Sequence, residues 1–286
     1  MIRLSPGILV SSYQLLKRMY EYEDYDVLAQ FTRNPSIDGT KTLDVVDTIV
    51  ACEWIEVIGE TAKLSPRGIK IAQNFDSAIK RLMIEDYIRH STDSWILLIP
   101  RGRKECSPYL PPDILACIKN AGLLMIPAAD DIVLWWDKQA QFIRKEQELA
   151  ILELGRIGEK LTLEYEKGRT GKEPVWKSIE SNLAGYDVLS ILEKGSTVRL
   201  SIEVKTSEKP IKIANAYITR HEWDVAIESA NHKFYFWQID GNQKMLATLD
   251  TTELQPNIPK DEGEGMWQIV TIPFSKYADR FQLYNN

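Results

Sequence analysis

An acidic residue and a lysine in the second half of the chain have the spacing that places two side chains on one face of a strand. Glu203 and Lys205 are two residues apart in the predicted strand Val198–Lys205. Because side chains alternate between the two faces of a strand, Glu203 and Lys205 share one face, and the apolar Ile202 and Val204 share the other. A carboxylate and an ammonium group are therefore expected side by side.

A second carboxylate lies on the preceding predicted strand. Asp187 belongs to the strand Tyr186–Leu192, which a turn at Glu193–Ser196 joins to the strand of Glu203. Pairing of the two strands can bring Asp187 next to Glu203. Two adjacent carboxylates repel each other unless a cation lies between them, and their oxygen atoms suit Mg²⁺ or Mn²⁺. The backbone carbonyl of Val204 is a further candidate ligand.

These residue types are suited to the hydrolysis of a phosphodiester. A divalent ion can polarise a phosphate and acidify a bound water. Lys205 beside it is suited to orient the water and to offset the charge that builds on the phosphoryl oxygens. By itself, an acid-x-Lys triplet on a strand is usually a solvated ion pair that contributes about 0–1 kcal/mol. The prediction therefore depends on Asp187 and on the elements around it.

The elements that must position these residues follow the order α-β-β-β-α-β. They are predicted at Lys138–Lys167, Val175–Ile179, Tyr186–Leu192, Val198–Lys205, Thr219–Ser229 and Lys233–Ile239, with further strands at Lys244–Thr248 and Gln268–Ile272. Thr219 and Glu222 have the spacing of a capping box. We therefore expect Glu222 to cap the second helix and His221 to be polar surface.

Four short motifs between Glu153 and Ile239 occur in this order. They are Gly155–Glu159 (GRIGE), Gly185–Ser190 (GYDVLS), Ile202–Thr206 (IEVKT) and Thr219–Trp223 (TRHEW). Together with the element order they resemble the PD-(D/E)XK nuclease superfamily. More narrowly, they resemble the domain at the C-terminus of the plant protein NO VEIN, which is also found in bacterial defence-associated proteins. The chain departs from the superfamily name because Tyr186, rather than a proline, precedes Asp187.

The resemblance implies a restriction-endonuclease-like core with a mixed sheet. It implies that Asp187 and Glu203 are metal ligands, that Lys205 is the catalytic cation, and that Glu159 reaches the site from the first helix to help hold the metal or its water. It also implies a DNA endonuclease, dependent on Mg²⁺ or Mn²⁺, in restriction or anti-phage defence. Taken alone, Glu159 is equally compatible with a charge on the helix surface.

The N-terminal section, residues 1–75, predicts three helices followed by a β-hairpin. The helices are Gly7–Tyr20, Tyr25–Phe31 and Thr42–Cys52, and the strands are Trp54–Val57 and Ala62–Leu64. This order resembles a winged-helix domain, in which the third helix can enter a major groove while the hairpin contacts the DNA backbone. The alternative is a protein–protein or dimerisation module.

The third helix of this section gives a mixed signal for DNA binding. Its apolar residues are expected on one face: Leu43, Val46, Ile49 and Val50. Asp44 and Asp47 would repel phosphate, so the better phosphate contacts are basic residues near the hairpin. Those candidates are Lys63, Arg67 and Lys70.

Residues 76–137 predict a second, degenerate winged-helix-like domain. Helices are expected at Ser77–Arg89 and Asp113–Ala121, and a hairpin at Leu123–Ile126 and Ile132–Trp136. A basic turn adds three candidate phosphate contacts, for which a solvated loop is the alternative: Arg101, Arg103 and Lys104. The expected domains are therefore 1–75, 76–137 and a nuclease-like domain at 138–286.

Composition restricts the class of protein further. The 286 residues carry a net charge of −6, which excludes a histone-like coating of nucleic acid but leaves room for a local basic groove. The three scattered cysteines have no CxxC or Cys/His spacing and predict neither disulfides nor zinc. Because no run of about 18 apolar residues occurs, we expect no membrane span, and a cytoplasmic location fits best.

Two functions follow from the sequence. The first is a Mg²⁺-dependent DNA endonuclease that winged-helix modules position on DNA or on a partner. A homodimer is expected, since one site per chain cuts one strand. The second is a non-catalytic DNA- or protein-binding subunit with a nuclease-like fold that works with a partner ATPase or helicase. A transcriptional regulator is a third option, but it gives no role to the second half of the chain.

Overall fold

The computed structural model describes residues 2–22, 33–37, 39–58, 61–180, 184–261 and 265–284. The chain forms two compact units, 1–147 and 148–286. The second unit therefore begins ten residues later than the boundary expected at 138. The predicted helix Tyr25–Phe31 lies outside the described residues. Within the described ranges, no helix combines the length and the apolar composition needed to cross a bilayer.

The first unit is built mainly from helices. They are α1 (Pro6–Tyr22), α2 (Thr42–Ala51), α3 (Pro66–Gln73), α4 (Ser77–His90), α5 (Arg103–Cys106), α6 (Pro112–Asn120) and the first part of α7 (Asp130–Thr170), with 3-10 turns at Ser94–Arg101 and Ser107–Tyr109. Two antiparallel hairpins pair β1 (Ser36–Ile37) with β2 (Thr40–Lys41), and β3 (Ile55–Ile58) with β4 (Thr61–Leu64). One apolar core extends from Leu4 to Ile143 and so serves both predicted N-terminal modules.

The predicted helix–hairpin–helix order of residues 42–73 is present. The turn that leads from the hairpin into α3 is stabilised by a helix cap and permitted by a glycine. The Ser65 hydroxyl accepts a hydrogen bond from the Gly68 amide at 3.0 Å, and Pro66 occupies the first helical turn of α3. A Cβ at Gly68 would lie 1.9 Å from the carbonyl oxygen of Trp54. This glycine therefore lets α3 begin directly against the start of the hairpin.

The buried face of α2 differs from the predicted one. Its buried residues are Thr42, Val45, Thr48 and Ile49, whereas Leu43 is 69% exposed. The two threonines can be buried because their hydroxyls donate to backbone carbonyls: Thr42 to Asn34 at 2.5 Å, and Thr48 to Arg3 at 3.0 Å and Asp44 at 2.7 Å. The helix is therefore rotated by about one residue from the expected orientation.

The hairpin predicted at the end of the second module is wrong. Residues 123–126 form turns, and Ile132–Trp136 lies inside α7. The buried residues Ile132, Trp135 and Trp136 are spaced three and four apart, which is the period of a helix. Asp130 and Asp131 in the first turn also suit a helix N-terminus. The second module therefore has no wing at this position.

The second unit contains a mixed six-stranded sheet. Its elements are the end of α7, β5 (Val175–Trp176), α8 (Lys177–Glu180), β6 (Val188–Ile191), β7 (Arg199–Ser207), β8 (Asn215–Thr219), α9 (Arg220–Glu228), β9 (His232–Asp240), β10 (Gln243–Asp250), α10 (Thr251–Leu254), β11 (Ile269–Pro273) and β12 (Gln282–Leu283). The strand order is β12-β10-β9-β7-β6-β5, and β8 pairs with β11 apart from it. Strands β7 and β9 run parallel, and the other described neighbours in the sheet run antiparallel.

The sheet buries both of its faces, and the predicted alternation along β7 is confirmed. Ile202 and Val204 pack with Tyr235, Trp237 and α7 in one cluster. The opposite cluster contains Trp223 of α9 with Phe234 and Phe236 of β9. Glu203 and Lys205 therefore point to the side of the sheet that α9 covers.

Strand β5 is shorter than the predicted Val175–Ile179. The amides of Lys177 and Ser178 donate to the carbonyl oxygen of Asp187, at 2.7 and 3.2 Å. These bonds turn the chain away from the sheet and into the short helix α8. The turn brings Ser178 close to the start of β6, where the predicted acids lie.

Candidate functional site

A pocket of about 220 Å³ opens at the start of β6, beside β7 and the N-terminus of α9. Its lining residues are Ser178, Gly185, Tyr186, Asp187, Glu203, Thr219, His221 and Glu222. Two of the acids predicted from the sequence, Asp187 and Glu203, therefore share one pocket.

The register of β6 and β7 brings these two acids together. Val188 is opposite Ile202, and the Asp187 amide donates to the Ile202 carbonyl at 3.0 Å. The Asp187 side chain then crosses to β7, where its Oδ2 accepts a hydrogen bond from the Val204 amide at 2.9 Å. This bond fixes the Asp187 carboxylate beside the backbone of Glu203 and Val204.

Lys205 lies between two carboxylates. Its Nζ is 2.8 Å from Glu203 Oε1 and 3.0 Å from Glu222 Oε1. Glu203 is only 4% exposed, and the Lys205 side chain is 16% exposed. Glu203 and Glu222 line the pocket, and the Lys205 ammonium pairs with both of them. The structure thus places Asp187, Glu203 and Lys205 at one site, with Glu222 as a third carboxylate.

Burial disfavours the negative charges of the two predicted ligands. It raises the pKa of Asp187 to about 6, against the opposing hydrogen bond from the Val204 amide. It also raises the pKa of Glu203 well above its ordinary range, and the neighbouring ammonium of Lys205 offsets only part of that rise. Additional positive charge in the pocket would therefore stabilise the ionised forms of both groups.

In the Lys205–Glu222 pair, the charges of the neighbours outweigh the effect of burial, so both groups keep their charges. Burial acts to lower the pKa of Lys205, but Glu203 and Glu222 together raise it above its ordinary value. Burial also acts to raise the pKa of Glu222, yet Lys205 and the Thr219 amide bring it below its ordinary value. Lys205 is therefore a protonated cation and Glu222 an ionised acid.

Glu159 on α7 lies near the pocket, and its charge acts to raise the pKa of Asp187. Its Oε2 accepts hydrogen bonds from Arg156 Nη1 at 2.7 Å, from the Trp176 indole and from the Ser178 hydroxyl. The side chain is not among those that line the pocket. Three donors on α7 and the β5–α8 segment hold its carboxylate, and one of them, the Ser178 hydroxyl, belongs to a residue that lines the pocket.

Two pocket residues were assigned other roles from the sequence. Glu222 does cap α9, as predicted, but its second oxygen binds Lys205. His221 is exposed, as predicted, but it lines the pocket. The sequence signal that could have indicated both is their position inside the TRHEW motif, directly after the Thr219 cap.

The glycine of the GYDVLS motif also has a structural reason. Gly185 has a φ of +71°, and a Cβ there would lie 2.5 Å from Val225 Cγ2 of α9. Only glycine fits this combination of left-handed backbone and close contact. It lets the chain enter the pocket wall immediately before Asp187.

The donor set is compatible with a small divalent cation. Among the residues that the structure describes, no three Asp, Glu, His or Cys side chains are arranged to hold a metal ion together. Mg²⁺, however, is commonly bound through one or two carboxylates and several waters. Asp187, which is partly buried, and Glu203, which is buried, line one pocket and fit that smaller protein contribution.

The six predicted nucleic-acid contacts do not form one group. Arg67 forms an internal ion pair: its guanidinium binds the buried Asp86 through Nε–Oδ2 at 2.8 Å and Nη2–Oδ1 at 2.5 Å. Arg103 donates to the Met125 carbonyl at 3.0 Å and is half-buried. The exposed members of the set are Lys63, Lys70, Arg101 and Lys104.

Comparison with known families supports the narrower resemblance. Residues 158–244 match the family described as Protein NO VEIN, C-terminal. The matched range contains every residue that lines the pocket, together with Lys205. Comparison with curated proteins and with solved structures gives no match.

Proposed function

We propose that the second unit is a metal-dependent phosphodiesterase that cuts DNA as an endonuclease, with a restriction-endonuclease-like core. The observation that carries the proposal is that Asp187 and Glu203 line one pocket, while Lys205, on the same strand as Glu203, forms an ion pair with it. Their residue types, burial and raised carboxyl pKa values match what metal-assisted phosphoryl transfer requires.

In this proposal Asp187 and Glu203, with the Val204 carbonyl, hold Mg²⁺ or Mn²⁺. When bound, the ion supplies Lewis acidity to a phosphoryl oxygen and lowers the pKa of a water. The Val204 amide orients the Asp187 carboxylate. Lys205 contributes a fixed positive charge beside Glu203, which reduces the repulsion between the carboxylates and an incoming phosphate.

We also propose that residues 1–75 form a winged-helix-like module that positions the second unit on DNA or on a partner. The order α1, α2, β3, β4 supports this reading. The exposed Lys63 and Lys70 support a phosphate contact, whereas Asp44 and Asp47 on α2 favour a protein partner. The role in restriction or anti-phage defence rests on the family resemblance.

A non-catalytic subunit is the second candidate function. The observation that favours it is that the described residues offer no three-ligand metal cluster, while the Lys205 ammonium is already held by Glu203 and Glu222. In this reading the nuclease-like fold binds DNA, or assembles with a partner ATPase or helicase, without cutting.

Cleavage of plasmid DNA tests the proposal. The purified chain should nick or cut with Mg²⁺ or Mn²⁺ and fail with EDTA. Asp187→Ala and Lys205→Ala should each lose about 100-fold or more in rate, the scale expected when a charge-stabilising group is removed. Lys233→Ala serves as a matched control, since Lys233 pairs with Asp250 on the same sheet and does not line the pocket.

The two functions give different results in this assay. If both alanine variants cut as well as the parent, the assigned site is wrong. If the parent binds DNA but does not cut with either metal, and calorimetry detects no metal binding that depends on Glu203, the non-catalytic subunit is supported.

A further inference from the structure

We infer that Glu222 is a positioning residue of this site, which fixes the Lys205 ammonium by tying it to the N-terminus of α9. The inference rests on the proposed phosphodiesterase function and adds a residue to it. Neither the acid-x-Lys pattern nor the α-β-β-β-α-β order assigns Glu222 such a role, since its spacing from Thr219 already accounts for it as a helix cap.

The two carboxylate oxygens of Glu222 have different partners. Oε2 accepts the Thr219 amide at 2.7 Å, and Oε1 accepts Lys205 Nζ at 3.0 Å. The Thr219 hydroxyl in turn accepts the Glu222 amide at 3.3 Å and completes the capping box. Because the cap fixes one oxygen relative to the helix start, the direction in which the other faces Lys205 is fixed as well.

This second anchor gives Lys205 a defined position. Glu203 is on the same strand, two residues away, so a bond to Glu203 alone would leave the long lysine side chain free to pivot about it. Glu222 belongs to a different element, and its bond removes that freedom. A lysine that is only 16% exposed also needs paired charges to offset the loss of water.

Glu222 has a consequence for the proposed metal ligands too. The Lys205 ammonium pairs with Glu222 as well as with Glu203. Without Glu222 it would pair with Glu203 alone and would compete more strongly with a metal cation for the Glu203 carboxylate. Removing the Glu222 charge also makes the pocket less negative. Both effects act in the same direction, so loss of Glu222 should weaken divalent-cation binding by Asp187 and Glu203.

The chain contains a matched control for the test. Asp250 and Glu253 form a second capping box, at the start of α10. Glu253 Oε2 accepts the Asp250 amide at 2.8 Å, and its other oxygen pairs with Arg280. Glu253 therefore combines a cap with an ion pair as Glu222 does, and it does not line the pocket.

The experiment compares the full chain with Glu222→Gln and Glu253→Gln. Glutamine can retain the cap, since the capping box accepts Glu or Gln at this position, but it cannot form the ion pair. The first readout is the ammonium ¹H–¹⁵N NMR signal of Lys205, assigned with Lys205→Met. The second is Mn²⁺ binding by calorimetry, and the third is the division of any change in DNA cleavage between kcat and KM.

We expect Glu222→Gln to shift or remove the Lys205 signal and to weaken Mn²⁺ binding about tenfold. It should lower kcat by about 10- to 100-fold while KM for DNA changes little, because misplacing one group by about 1 Å can cost that much. Glu253→Gln should match the parent in all three readouts. A Lys205 signal and Mn²⁺ affinity unchanged in Glu222→Gln would overturn the inference, as would equal losses in both variants.

The design separates this inference from the proposed function. If the parent cuts no DNA and binds no Mn²⁺, the phosphodiesterase proposal fails, and Glu222 as a residue of that site fails with it. If the parent cuts and Glu222→Gln cuts equally well with an unmoved Lys205 signal, the phosphodiesterase stands and Glu222 is only a helix cap.

Discussion

His232, in the sheet of the second unit, is kept uncharged mainly by its burial. The residue is 5% exposed, and its Nδ1 lies 2.9 Å from the Ser201 hydroxyl. In the described part of the chain its Nε2 has no hydrogen-bond partner. Burial lowers the pKa of His232 to about 4, and the charge of Glu222 opposes that shift only weakly. The imidazole is therefore neutral in the folded protein at neutral pH.

The neutral His232 should make stability fall as the pH drops from about 6.5 to about 4. Across that window the unfolded chain binds a proton at this histidine and the folded chain does not, so acidification favours unfolding. The loss should reach about 3 kcal/mol at the lower end. Urea unfolding at a series of pH values measures it. Because the raised pKa values of Asp187 and Glu203 act in the opposite direction, the contribution of His232 is the difference between the pH curves of the parent and of His232→Gln, and parallel curves would contradict the prediction.

Individual site residues could be predicted only where a local rule decides the direction of the side chain. Strand alternation was enough to place Glu203 and Lys205 on one face, and a hairpin was enough to bring Asp187 to them. The orientation of Glu159 depends on Arg156, three residues earlier on the same helix, and on Trp176 and Ser178, which are 17 and 19 residues away in the sequence. No spacing rule could reveal that competition.

At the scale of the elements, α7 approaches β7 closely at a glycine. A Cβ on Gly158 would lie 1.8 Å from Thr206 Oγ1, whereas a Cβ on Gly155 would meet no atom within 4 Å. The two glycines of the GRIGE motif therefore have different physical roles. Gly158 permits the helix to pack against β7, and Gly155 has no comparable packing reason.

Alanine at the two glycines should change stability in opposite directions. Gly155→Ala should stabilise by about 1 kcal/mol, because alanine favours a helix interior. Gly158→Ala should destabilise by about 1–3 kcal/mol through overpacking. Adding Thr206→Ala should recover part of that loss, since the Thr206 hydroxyl is buried and has no partner in the described structure. Chemical denaturation of the parent and of these three variants checks this, and equal effects of the two glycine variants would contradict it.

The elements that sequence analysis missed are those whose period is ambiguous over a short window. Leu123–Ile126 and Ile132–Trp136 are short apolar segments, and such segments fit a strand or a helix equally well. The cap at Thr219 and the long α7 could be predicted because each carries a distinct signal, a capping box and an extended helical pattern. Strand β5 ended early because of amide bonds to Asp187, a contact between elements.

Arg67 should matter for the fold of the first unit rather than for DNA binding. It forms a two-point ion pair with Asp86, which also accepts the Trp54 indole N–H at 2.9 Å. Arg67→Ala would leave a buried carboxylate without its cation and should destabilise by about 2–4 kcal/mol. Lys70→Ala, on the exposed side of the same helix, should change stability by less than about 0.5 kcal/mol. Similar melting temperatures for the two variants would disprove the structural role of Arg67.

For the whole molecule, the acidic balance limits how DNA can be bound. A net charge of −6 gives no general attraction to a polyanion, so affinity must come from local groups and must depend strongly on salt. Lys63, Lys70, Arg101 and Lys104 are the exposed basic candidates in the first unit. Whether the first unit binds DNA or a protein therefore depends on whether these cations contact phosphates.

The salt dependence of DNA binding decides between those two partners. For each cation that contacts a phosphate, substitution by alanine should reduce the slope of log K against log salt by about 1. We expect this for Lys70→Ala, Arg101→Ala and Lys104→Ala, measured by fluorescence anisotropy with a labelled duplex. Lys17→Ala is the control, because Lys17 lies on α1 in a weak surface pair with Glu21 at 3.6 Å. Slopes that stay equal to that of the parent would remove DNA as the partner of the first unit and favour docking onto a protein, as the acidic α2 suggests.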